Sequence, residues 1–491
     1  MKVLIFHGYL LRGTGSNVYN ASLARALARL GHEVHLLCQD RDARELGGEG
    51  PGSVTIHNPD IGGLLPVFVK DEYEGFEVKT FSELSDAELS AYIEANVSAV
   101  HEVIDAVGGV DAALANHLIM GPVILGRAEL DYALKVHGSD LSYTVLPELE
   151  RWRPYASQAI DGAAGVLVGS GHIADRLRQA LGDAADPKVR LGPPGVDTEL
   201  FAPVPADERA EGLRRLAASV REGHAGAWGR DPKRAAEAIE WFAESPGPRV
   251  VFVGKLIVSK GVDLLLAAWP LIRSQNPDAR LLIAGFGELE PVLERAWAGL
   301  EAGDLDPLRE LAARGRGMEG GYDHQLDFLE AFLGRMPESY ARAASDAAGS
   351  VRFAGRLEHN EVGELVPAAD ALVFPSTFPE AFGMVAAEAA SAGVLPVSAG
   401  HSGAVEVSRE LAAELPEEVA PLVSFALDDR AVEAIAERVN AWLGLDEAVR
   451  AEAAESLRAT VTRLWSWEGV AEGVLAAAAG RLDELPAVAT A

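Results

Sequence analysis

The sequence contains only one cysteine, Cys38, among 491 residues. An intramolecular disulfide is therefore excluded, which fits a reducing compartment, and we expect a cytoplasmic protein. Cys38 ends the apolar segment EVHLLC. Free cysteines are among the most buried residues, so we predict a buried thiol in a strand rather than a nucleophile.

Long apolar runs are also missing. No uninterrupted run approaches the ~18 residues that are needed to span a bilayer. The N-terminal segment MKVLIFHG has a short apolar run and no small-residue cleavage site after it. We therefore predict a first strand rather than a signal peptide, and no transmembrane segment.

Positive charge is scarce, because 43 Lys and Arg stand against 74 Asp and Glu, for a net charge of −31. Such acidity argues against nucleic acid or an anionic bilayer as the main partner. The apolar content of 48% is typical of a globular protein. One hydrophobic core rarely spans a chain of this length, so two domains are expected.

What the sequence does contain is an alternation of short apolar runs with longer segments of helical periodicity. The predicted strands of the first half are residues 2–6, 33–38, 111–116, 131–138 and 162–170. Those of the second half are residues 249–255, 279–287, 351–355, 370–376 and 394–399. Strands separated by helices form βαβ units. The sequence therefore predicts an α/β protein with two doubly wound, Rossmann-like domains.

The two halves join near LGPPGVDTELF, where Pro193 and Pro194 stiffen the connection. We predict an N-terminal domain over residues 1–195 and a C-terminal domain over residues 196–463. The last segment, residues 464–491, is predicted to be a helix that returns to the N-terminal domain.

Two segments, residues 203–248 and 300–350, are too long for simple connections between a strand and a helix. We expect both to carry helices of their own, and we assign neither a function. The second segment holds four residues that could bind a cation, Asp323, His324, Asp327 and Glu330. An exposed helix face is the favoured interpretation, and no metal site is predicted.

Ligands of doubly wound proteins bind at the carboxyl ends of the strands. After the first strand, HGYLLRGTGSNVYN places Gly13 and Gly15 before a helix that starts near Asn17. Such a loop suits a phosphate, although an ordinary glycine turn has the same composition. His137 in KVHGSD follows another strand and is either a site residue or a structural histidine.

In the second half, VGKLIVSKG carries Lys255 and Lys260 across a turn that follows a strand. Two lysines there suit an anion such as a diphosphate, whose charge must be balanced when a bond to it breaks. The alternative is a pair of solvated surface lysines.

The segment FPEAFGMVAAEAASAG is predicted to be a loop that enters an alanine-rich helix. Glu380 lies in the loop and Glu388 within the helix, while the amides of Phe382, Gly383 and Met384 point to the same site. Two carboxylates at these positions suit an extended, hydroxyl-rich ligand, with sugar hydroxyls at one and ribose hydroxyls at the other. The alternative is a helix cap and a surface glutamate.

These motifs together resemble the retaining nucleotide-sugar glycosyltransferases of family GT4, which have the GT-B fold with two domains that face each other across a cleft. The hallmark of that family is E-x7-E, here Glu380 and Glu388. TGSNVYNASLARAL, HGSD, PPGVDTELF, GKLIVSKGVDLL and SWEGVA occur in family order. The resemblance spans nearly the whole chain except the two inserted segments.

The resemblance implies roles for the matching residues. Gly15 would lie under the donor diphosphate and His137 beside the transferred sugar. Lys255 and Lys260 would bind the diphosphate, and Asn17 falls where related enzymes often face the acceptor. Glu380 would bind sugar hydroxyls, aided by the amides from Phe382 to Met384, and Glu388 would bind the ribose.

Three positions depart from the family pattern. Thr14 precedes Gly15 where a second glycine is usual, and Lys255 stands where arginine is common. Lysine acts as a point charge while arginine binds phosphate bidentately, so the diphosphate geometry can differ. GHSGAVE, residues 400–406, replaces a usual double-glycine turn.

The implied function is transfer of a hexose, with retention, from a nucleoside diphosphate sugar to the hydroxyl of a soluble acceptor. UDP is the favoured nucleotide, and no cofactor or metal is expected. The alternatives are an inactive module that binds a glycan or protein, a sugar-nucleotide epimerase or a phosphorylase of the same fold, and an enzyme with a lipid acceptor. The oligomeric state is left open.

Overall fold

The computed structural model describes residues 1–11, 15–41, 46, 50–68, 73, 75–223 and 230–488. The chain divides into two compact units. The N-terminal unit comprises Met1–Gly195 with Trp465–Ala491, and the C-terminal unit comprises Val196–Leu464.

The N-terminal unit is built on a parallel seven-stranded sheet with the strand order β3-β2-β1-β6-β7-β8-β9. Its strands are β1 (Lys2–Phe6), β2 (Glu33–Leu37), β3 (Ser53–His57), β6 (Ala112–Asn116), β7 (Tyr132–Val136), β8 (Ala163–Val168) and β9 (Val189–Leu191). A separate parallel pair consists of β4 (Leu64–Val67) and β5 (Glu77–Thr80). The helices between them are α1 (Gly15–Arg29), α2 (Asp86–Val107), α3 (Gly121–Arg127), α4 (Leu149–Gly162) and α5 (Gly171–Leu181).

The C-terminal unit has a parallel six-stranded sheet with the strand order β12-β11-β10-β13-β14-β15. Its strands are β10 (Arg249–Val253), β11 (Arg280–Ala284), β12 (Val351–Gly355), β13 (Ala371–Phe374), β14 (Leu395–Ala399) and β15 (Ser424–Phe425). Its helices are α6 (Arg209–Glu222), α7 (Pro232–Ala243), α8 (Val262–Gln275), α9 (Glu290–Ala302), α10 (Asp306–Arg314), α11 (Asp327–Leu333), α12 (Tyr340–Asp346), α13 (His359–Leu365), α14 (Met384–Ser391), α15 (Ser402–Ala412), α16 (Ala431–Leu443) and α17 (Glu447–Leu464).

The last helix, α18 (Trp467–Ala478), packs on the sheet of the N-terminal unit. The ring centroid of Trp467 lies 5.5 Å from that of Tyr19 on α1. The indole also lies so close to Gly195 that a Cβ there would come within 2.5 Å of its Cδ2 atom. Burial of this large aromatic ring therefore joins the end of the chain to the N-terminal core.

The doubly wound architecture predicted from the sequence is confirmed. All ten predicted strands are present, because parallel strands buried on both faces read as continuous apolar runs. The strands β3, β4, β5, β9 and β15 were missed. β3 is only partly buried, and β9 and β15 have three and two residues, so none of these three has a long apolar run.

Both inserted segments carry helices, as predicted. The first contains α6 and α7, and the second contains α10, α11 and α12. Cys38 is fully buried just after β2, and burial raises the pKa of its thiol to about 12. Among the described residues, no helix combines the length and the apolar character that crossing a membrane requires.

Candidate functional site

In the C-terminal unit, the sheet order reverses between β10 and β13, and ligands of doubly wound sheets bind at such a switch point. The loops after these two strands meet there. Lys260 Nζ donates a hydrogen bond to Glu380 Oε1 at 2.5 Å. The side chains of Lys260 and Glu380 are 26% and 19% exposed. A cation and a carboxylate that lie 120 positions apart in the chain are therefore paired and still accessible.

Backbone contacts hold these two loops together. The amide of Thr377 donates to the Ser259 carbonyl at 2.9 Å. Gly261 has φ of +67°, and a Cβ at this position would lie 2.0 Å from the carbonyl oxygen of Pro375. Only glycine combines this conformation with such a close approach, so Gly261 allows Lys260 to reach Glu380.

Glu380 is fixed by hydrogen bonds to neighbouring segments. The Ser376 hydroxyl donates to Glu380 Oε1 at 2.6 Å. The backbone amide of Glu380 donates to Ser402 Oγ at 2.8 Å, and its carbonyl accepts from the amide of Gly403 at 2.9 Å. The loop around Glu380 is thus attached to the start of α15.

The His401–Ser402 pair explains the departure seen at GHSGAVE. His401 Nε2 lies 2.7 Å from the Ser376 carbonyl, which can only accept, so this nitrogen carries the proton. His401 Nδ1 then accepts from the Ser402 hydroxyl at 3.2 Å. The two side chains link the loop after β14 to the loop that holds Glu380. The sequence analysis noted their segment only as a departure from the family pattern and gave neither residue a site role, although both follow the predicted strand 394–399.

A second group of cations surrounds Phe286, which follows β11. Lys255 Nζ lies 5.9 Å from the centroid of this ring, and the guanidinium carbon of Arg356 lies 5.6 Å from it. Arg356 follows β12 and is only 8% exposed. It also pairs with Glu358 at 3.2 Å. The sequence analysis missed Arg356, although it directly follows the predicted strand 351–355.

Glu388 lies within α14 and is only 6% exposed. Its Oε1 atom is 3.9 Å from His359 Nε2. Burial raises the pKa of this carboxyl, a nearby His359 lowers it, and the carboxylate of Asp197 raises it further. A buried carboxylate without a close ion pair suits a ligand that brings hydroxyl donors.

Helix α14 begins at Met384. Gly383 precedes it with φ of +107°. Among the described residues, the backbone amides of Gly383 and Met384 have no acceptor. Phe382 is 7% exposed. First-turn amides attract negative charge, so this helix start can bind an anion or a hydroxyl oxygen.

In the N-terminal unit, a buried polar network lies at the switch point between β1 and β6. His7 Nε2 donates to Asn17 Oδ1 at 2.9 Å, and His7 Nδ1 accepts from Asn20 at 3.0 Å. Asn20 and Asn116 exchange two hydrogen bonds of 2.8 and 3.1 Å. Burial lowers the pKa of His7 to about 3, so its ring is neutral. Asn17 is thus buried and orients His7.

His137 joins the same network. Its Nε2 atom lies 2.8 Å from Asn116 Oδ1, which accepts, so Nε2 carries the proton. Burial, then the neighbouring His117 and Lys135, hold the pKa of His137 well below its usual range. Nδ1 of this neutral ring has no donor among the described residues and is left as an acceptor.

His117, which follows β6, was not recognised in the sequence. It has φ of +67° and is only 3% exposed. Neither of its ring nitrogens has a hydrogen-bond partner in the described part of the chain. Its ring packs against those of Phe68 and His137, at centroid distances of 4.6 and 4.7 Å. His117 directly follows a predicted strand, as His137 does, and this position could have identified it as a candidate site residue.

The other residues named in the sequence analysis lie outside the two groups of site residues described above. Gly15 is the exposed first residue of α1, whereas Gly13 and Thr14 lie outside the described residues. Asp323 pairs with Arg314 at 3.3 Å, and the ring of His324 donates to the carbonyl of Gln325. The described residues contain no group of side chains that could hold a metal ion.

Family models match most of the chain. The model described as Glycosyltransferase Family 4 matches residues 13–200. Two models described as Glycosyl transferases group 1 match residues 247–313 and 338–458.

Curated relatives and solved structures agree with these matches. A GDP-mannose-dependent monoacylated alpha-(1-6)-phosphatidylinositol monomannoside mannosyltransferase of Corynebacterium glutamicum is 24% identical over 71% of this chain and 71% of its own. A GDP-mannose-dependent alpha-(1-6)-phosphatidylinositol monomannoside mannosyltransferase of Mycobacterium tuberculosis is 28% identical over 70% and 69%. The structure of HepE from Anabaena with UDP and glucose matches 99% of this chain and 100% of its own, at 17% identity and a TM-score of 0.58. The chain therefore belongs to the family 4 glycosyltransferases and has the GT-B fold.

Proposed function

We propose that this glycosyltransferase moves a hexose from a nucleoside diphosphate sugar to an acceptor hydroxyl with retention of the anomeric configuration. The observation that carries the proposal is the contact of 2.5 Å between Lys260 and Glu380 at the switch point of the C-terminal sheet. This pair offers a cation to a leaving phosphate and a carboxylate to sugar hydroxyls.

The diphosphate is assigned to the cations that follow the strands of the C-terminal unit. Lys255 and Lys260 both lie in the segment between β10 and α8, and Arg356 follows β12. The cationic groups of Lys255 and Arg356 each lie within 6 Å of the Phe286 ring. The amides of Gly383 and Met384 add partial positive charge. These groups can balance the charge of the leaving group, so we propose that transfer requires no metal ion or other cofactor.

The sugar and the ribose are assigned to the two glutamates of the E-x7-E motif. Glu380 keeps one carboxylate oxygen on Lys260 and Ser376, which leaves its second oxygen for hydroxyls of the transferred sugar. Glu388 is buried and is assigned to the ribose hydroxyls. Hydrogen bonds to charged acceptors contribute about 1.5–3 kcal/mol each, so both carboxylates can orient the donor strongly.

In the proposed reaction, the bond between the anomeric carbon and the diphosphate oxygen breaks while the acceptor oxygen bonds to that carbon on the same face. The proton of the acceptor hydroxyl passes to the departing phosphate oxygen. No strong base from the protein is required, and the positive groups stabilise the developing charge on the leaving diphosphate.

His137 is assigned to the transferred sugar as a hydrogen-bond acceptor. Its proton lies on Nε2 and is donated to Asn116, so Nδ1 can accept from a sugar hydroxyl but cannot donate to it. Gly15 is assigned to the diphosphate at the start of α1. Asn17 is assigned to positioning His7, because its Oδ1 atom accepts from His7 Nε2 and the residue is only 1% exposed.

A donor panel tests this proposal. Two relatives are GDP-mannose-dependent by name, and the sequence alone favoured UDP. We therefore expect GDP-mannose or UDP-glucose to raise the melting temperature most, because ligands that bind only the native state stabilise it. Each stabilising donor is then incubated with acceptor alcohols, with and without EDTA, and the release of nucleoside diphosphate and the anomeric configuration of the product are measured.

The rival functions give different results in the same panel. An inactive binding module would release no nucleoside diphosphate with any donor. An epimerase would convert the nucleotide sugar without forming a glycoside, and a phosphorylase would require a glycosyl phosphate. An inverted product, or activity that EDTA abolishes, would contradict the proposed mechanism.

Donor binding is expected to weaken at acidic pH because of Glu388. Its raised pKa means that this carboxyl takes up a proton at a higher pH than an ordinary glutamate does. The protonated form is a weaker acceptor for ribose hydroxyls. Affinity should therefore fall as the pH drops through the raised pKa. At neutral pH, Glu388→Gln should weaken nucleoside diphosphate binding about tenfold to a hundredfold.

Stability should respond to pH with the opposite sign. A carboxyl whose folded pKa is raised favours the folded state most when it is protonated, and this contribution to stability is lost as the pH rises through the folded pKa.

Calorimetric titration of nucleoside diphosphate between neutral and acidic pH, in the wild type and in Glu388→Gln, measures the predicted effect of pH on binding. Equal pH dependence in both proteins would remove Glu388 from the donor site.

A further inference from the structure

A cavity of about 600 Å³ in the C-terminal unit is not used by the proposed reaction. It lies between α7, α9 and the edge strand β12. Helix α7 belongs to the first inserted segment, and the turn at Ala348 and Gly349, which also lines the cavity, belongs to the second. We call this cavity the β12 groove.

The two helices line the groove with the same spacing. The lining positions on each helix are i, i+3, i+4 and i+7, which form one face of an α-helix. On α7 they are Arg234, Glu237, Ala238 and Trp241, and on α9 they are Glu294, Trp297, Ala298 and Glu301. One of the two central positions of each face is therefore an alanine, Ala238 or Ala298, whose small side chain leaves space between the helices.

Trp241 is held in place by its neighbours. The guanidinium carbon of Arg280 lies 4.6 Å from the centroid of its ring, and that of Arg352 lies 5.8 Å away. The indole is only partly buried, and its N–H makes no hydrogen bond among the described residues. Trp241 thus lines the groove with a ring that its neighbours hold in place, and its indole N–H can donate to a ligand.

Trp297 is fixed on the opposite helix. Its indole N–H donates to Glu301 Oε1 at 2.9 Å, and the same carboxylate oxygen accepts from the amide of Gly349 at 2.8 Å. Trp297 is 4% exposed. Trp297 on α9 and the turn at Gly349 are therefore joined through Glu301.

The charged side chains of the groove are largely balanced. Arg234 pairs with Glu290 at 2.9 Å and with Glu294 at 2.5 Å. Glu237 lies 4.0 Å from Lys233 and also interacts electrostatically with Arg221, and its side chain is 61% exposed. A strongly charged ligand would gain little from this arrangement, whereas hydroxyl groups would find carboxylate acceptors next to guanidinium donors.

The groove lies apart from the residues assigned to the donor. Lys260 and Glu380 follow β10 and β13, whereas the groove uses the first three residues of β12 at the edge of the sheet. The strand β11 lies between β12 and β10. A ligand in the groove would therefore not contact the Lys260–Glu380 pair.

We propose that the β12 groove binds a neutral oligosaccharide. The apolar C–H face of a pyranose ring can pack on the partly exposed indole of Trp241, while the sugar hydroxyls pair with carboxylates, guanidinium groups and the Trp241 N–H. The cavity volume falls within the ~300–1,000 Å³ range of small-ligand sites. The bound chain would attach the enzyme to a glycan without taking part in transfer, so the proposal does not depend on the donor or mechanism proposed above.

The test measures saccharide binding in the absence of any donor. The probes are α- and β-linked gluco-oligosaccharides and manno-oligosaccharides of three to six residues, titrated by calorimetry and by saturation-transfer NMR. We expect at least one probe to bind, and Trp241→Ala and Ala298→Phe each to weaken it at least tenfold. The first variant removes the aromatic ring, and the second fills the groove from an exposed helical position.

Two controls separate the groove from the reaction site and from general damage. Ala451→Phe places the same ring on the exposed face of α17 and should leave binding unchanged. Lys260→Ala should also leave it unchanged, since that residue belongs to the proposed donor site. Failure of transfer with intact oligosaccharide binding would contradict the proposed function and leave the groove standing.

Three results would overturn the proposal for the groove. The first is that no probe binds the wild-type protein. The second is that a probe binds equally well to Trp241→Ala and Ala298→Phe. The third is that Ala298→Phe dissociates an oligomer in sedimentation measurements, which would make the groove an interface between two copies of the chain.

Discussion

Lys260→Ala is expected to lower kcat about a hundredfold, with the donor that the panel identifies. The Lys260 ammonium is paired with Glu380 at 2.5 Å and stays accessible to a ligand. Removing one group that stabilises developing charge typically costs about 3 kcal/mol of transition-state stabilisation, which is roughly a hundredfold in rate. Steady-state kinetics on donor and acceptor would measure the change.

The loss in Lys260→Ala should be chemical rather than structural. The partly exposed pair contributes about 1 kcal/mol or less to folding, and Glu380 keeps its bonds to Ser376 and Ser402. The melting temperature should therefore change little. Lys233→Ala, at a side chain that is 82% exposed, is the matched control and should retain full activity. Near wild-type turnover in Lys260→Ala would refute the assigned role.

Gly261→Ala is expected to destabilise the C-terminal unit and to abolish most activity. Its φ of +67° costs an alanine about 1–2 kcal/mol. The added Cβ would also lie 2.0 Å from the Pro375 carbonyl oxygen, and overpacking of this kind costs about 1–3 kcal/mol. The backbone must shift to relieve the contact, and this shift would separate the loops that bring Lys260 to Glu380.

Gly349→Ala separates the cost of a positive φ from the cost of the close approach to the Pro375 carbonyl. Gly349 has a similar φ of +72°, but a Cβ there would meet nothing within 4 Å. This variant should lose only the conformational part, about 1–2 kcal/mol, and should keep its activity. Denaturant unfolding and turnover of both variants would be compared. Equal destabilisation and equal activity would show that the close approach to Pro375 has no functional consequence.

Much of the C-terminal site could be found without coordinates. Lys255, Lys260, Glu380 and Glu388 were selected because each lies near the end of an apolar run or at the start of a helix, where doubly wound proteins place ligands. Strand ends are visible in the sequence because buried parallel strands need continuous apolar residues. Their residue-level roles remain proposals.

Other groups could not be selected in the same way. Arg356 also follows a strand, but nothing in its local sequence separates it from an ordinary loop residue. His401 and Ser402 lie in GHSGAVE, which departs from the family pattern, but that departure does not show what their side chains contact. Arg356 and Phe286 follow the neighbouring strands β12 and β11, and this strand order brings the guanidinium beside the ring. His401 and Ser402 act through contacts with Ser376 and Glu380, more than twenty positions away.

By itself, the sequence determined the class of fold, the family and the segments that carry chemistry, because apolar periodicity and motif order are local properties of the chain. Only the tertiary structure decided that Lys260 meets Glu380, that Nε2 of His137 bonds to Asn116, and that α7 and α9 line a groove. These features depend on distances between distant segments, which are set by strand order, close backbone packing and burial rather than by any local pattern.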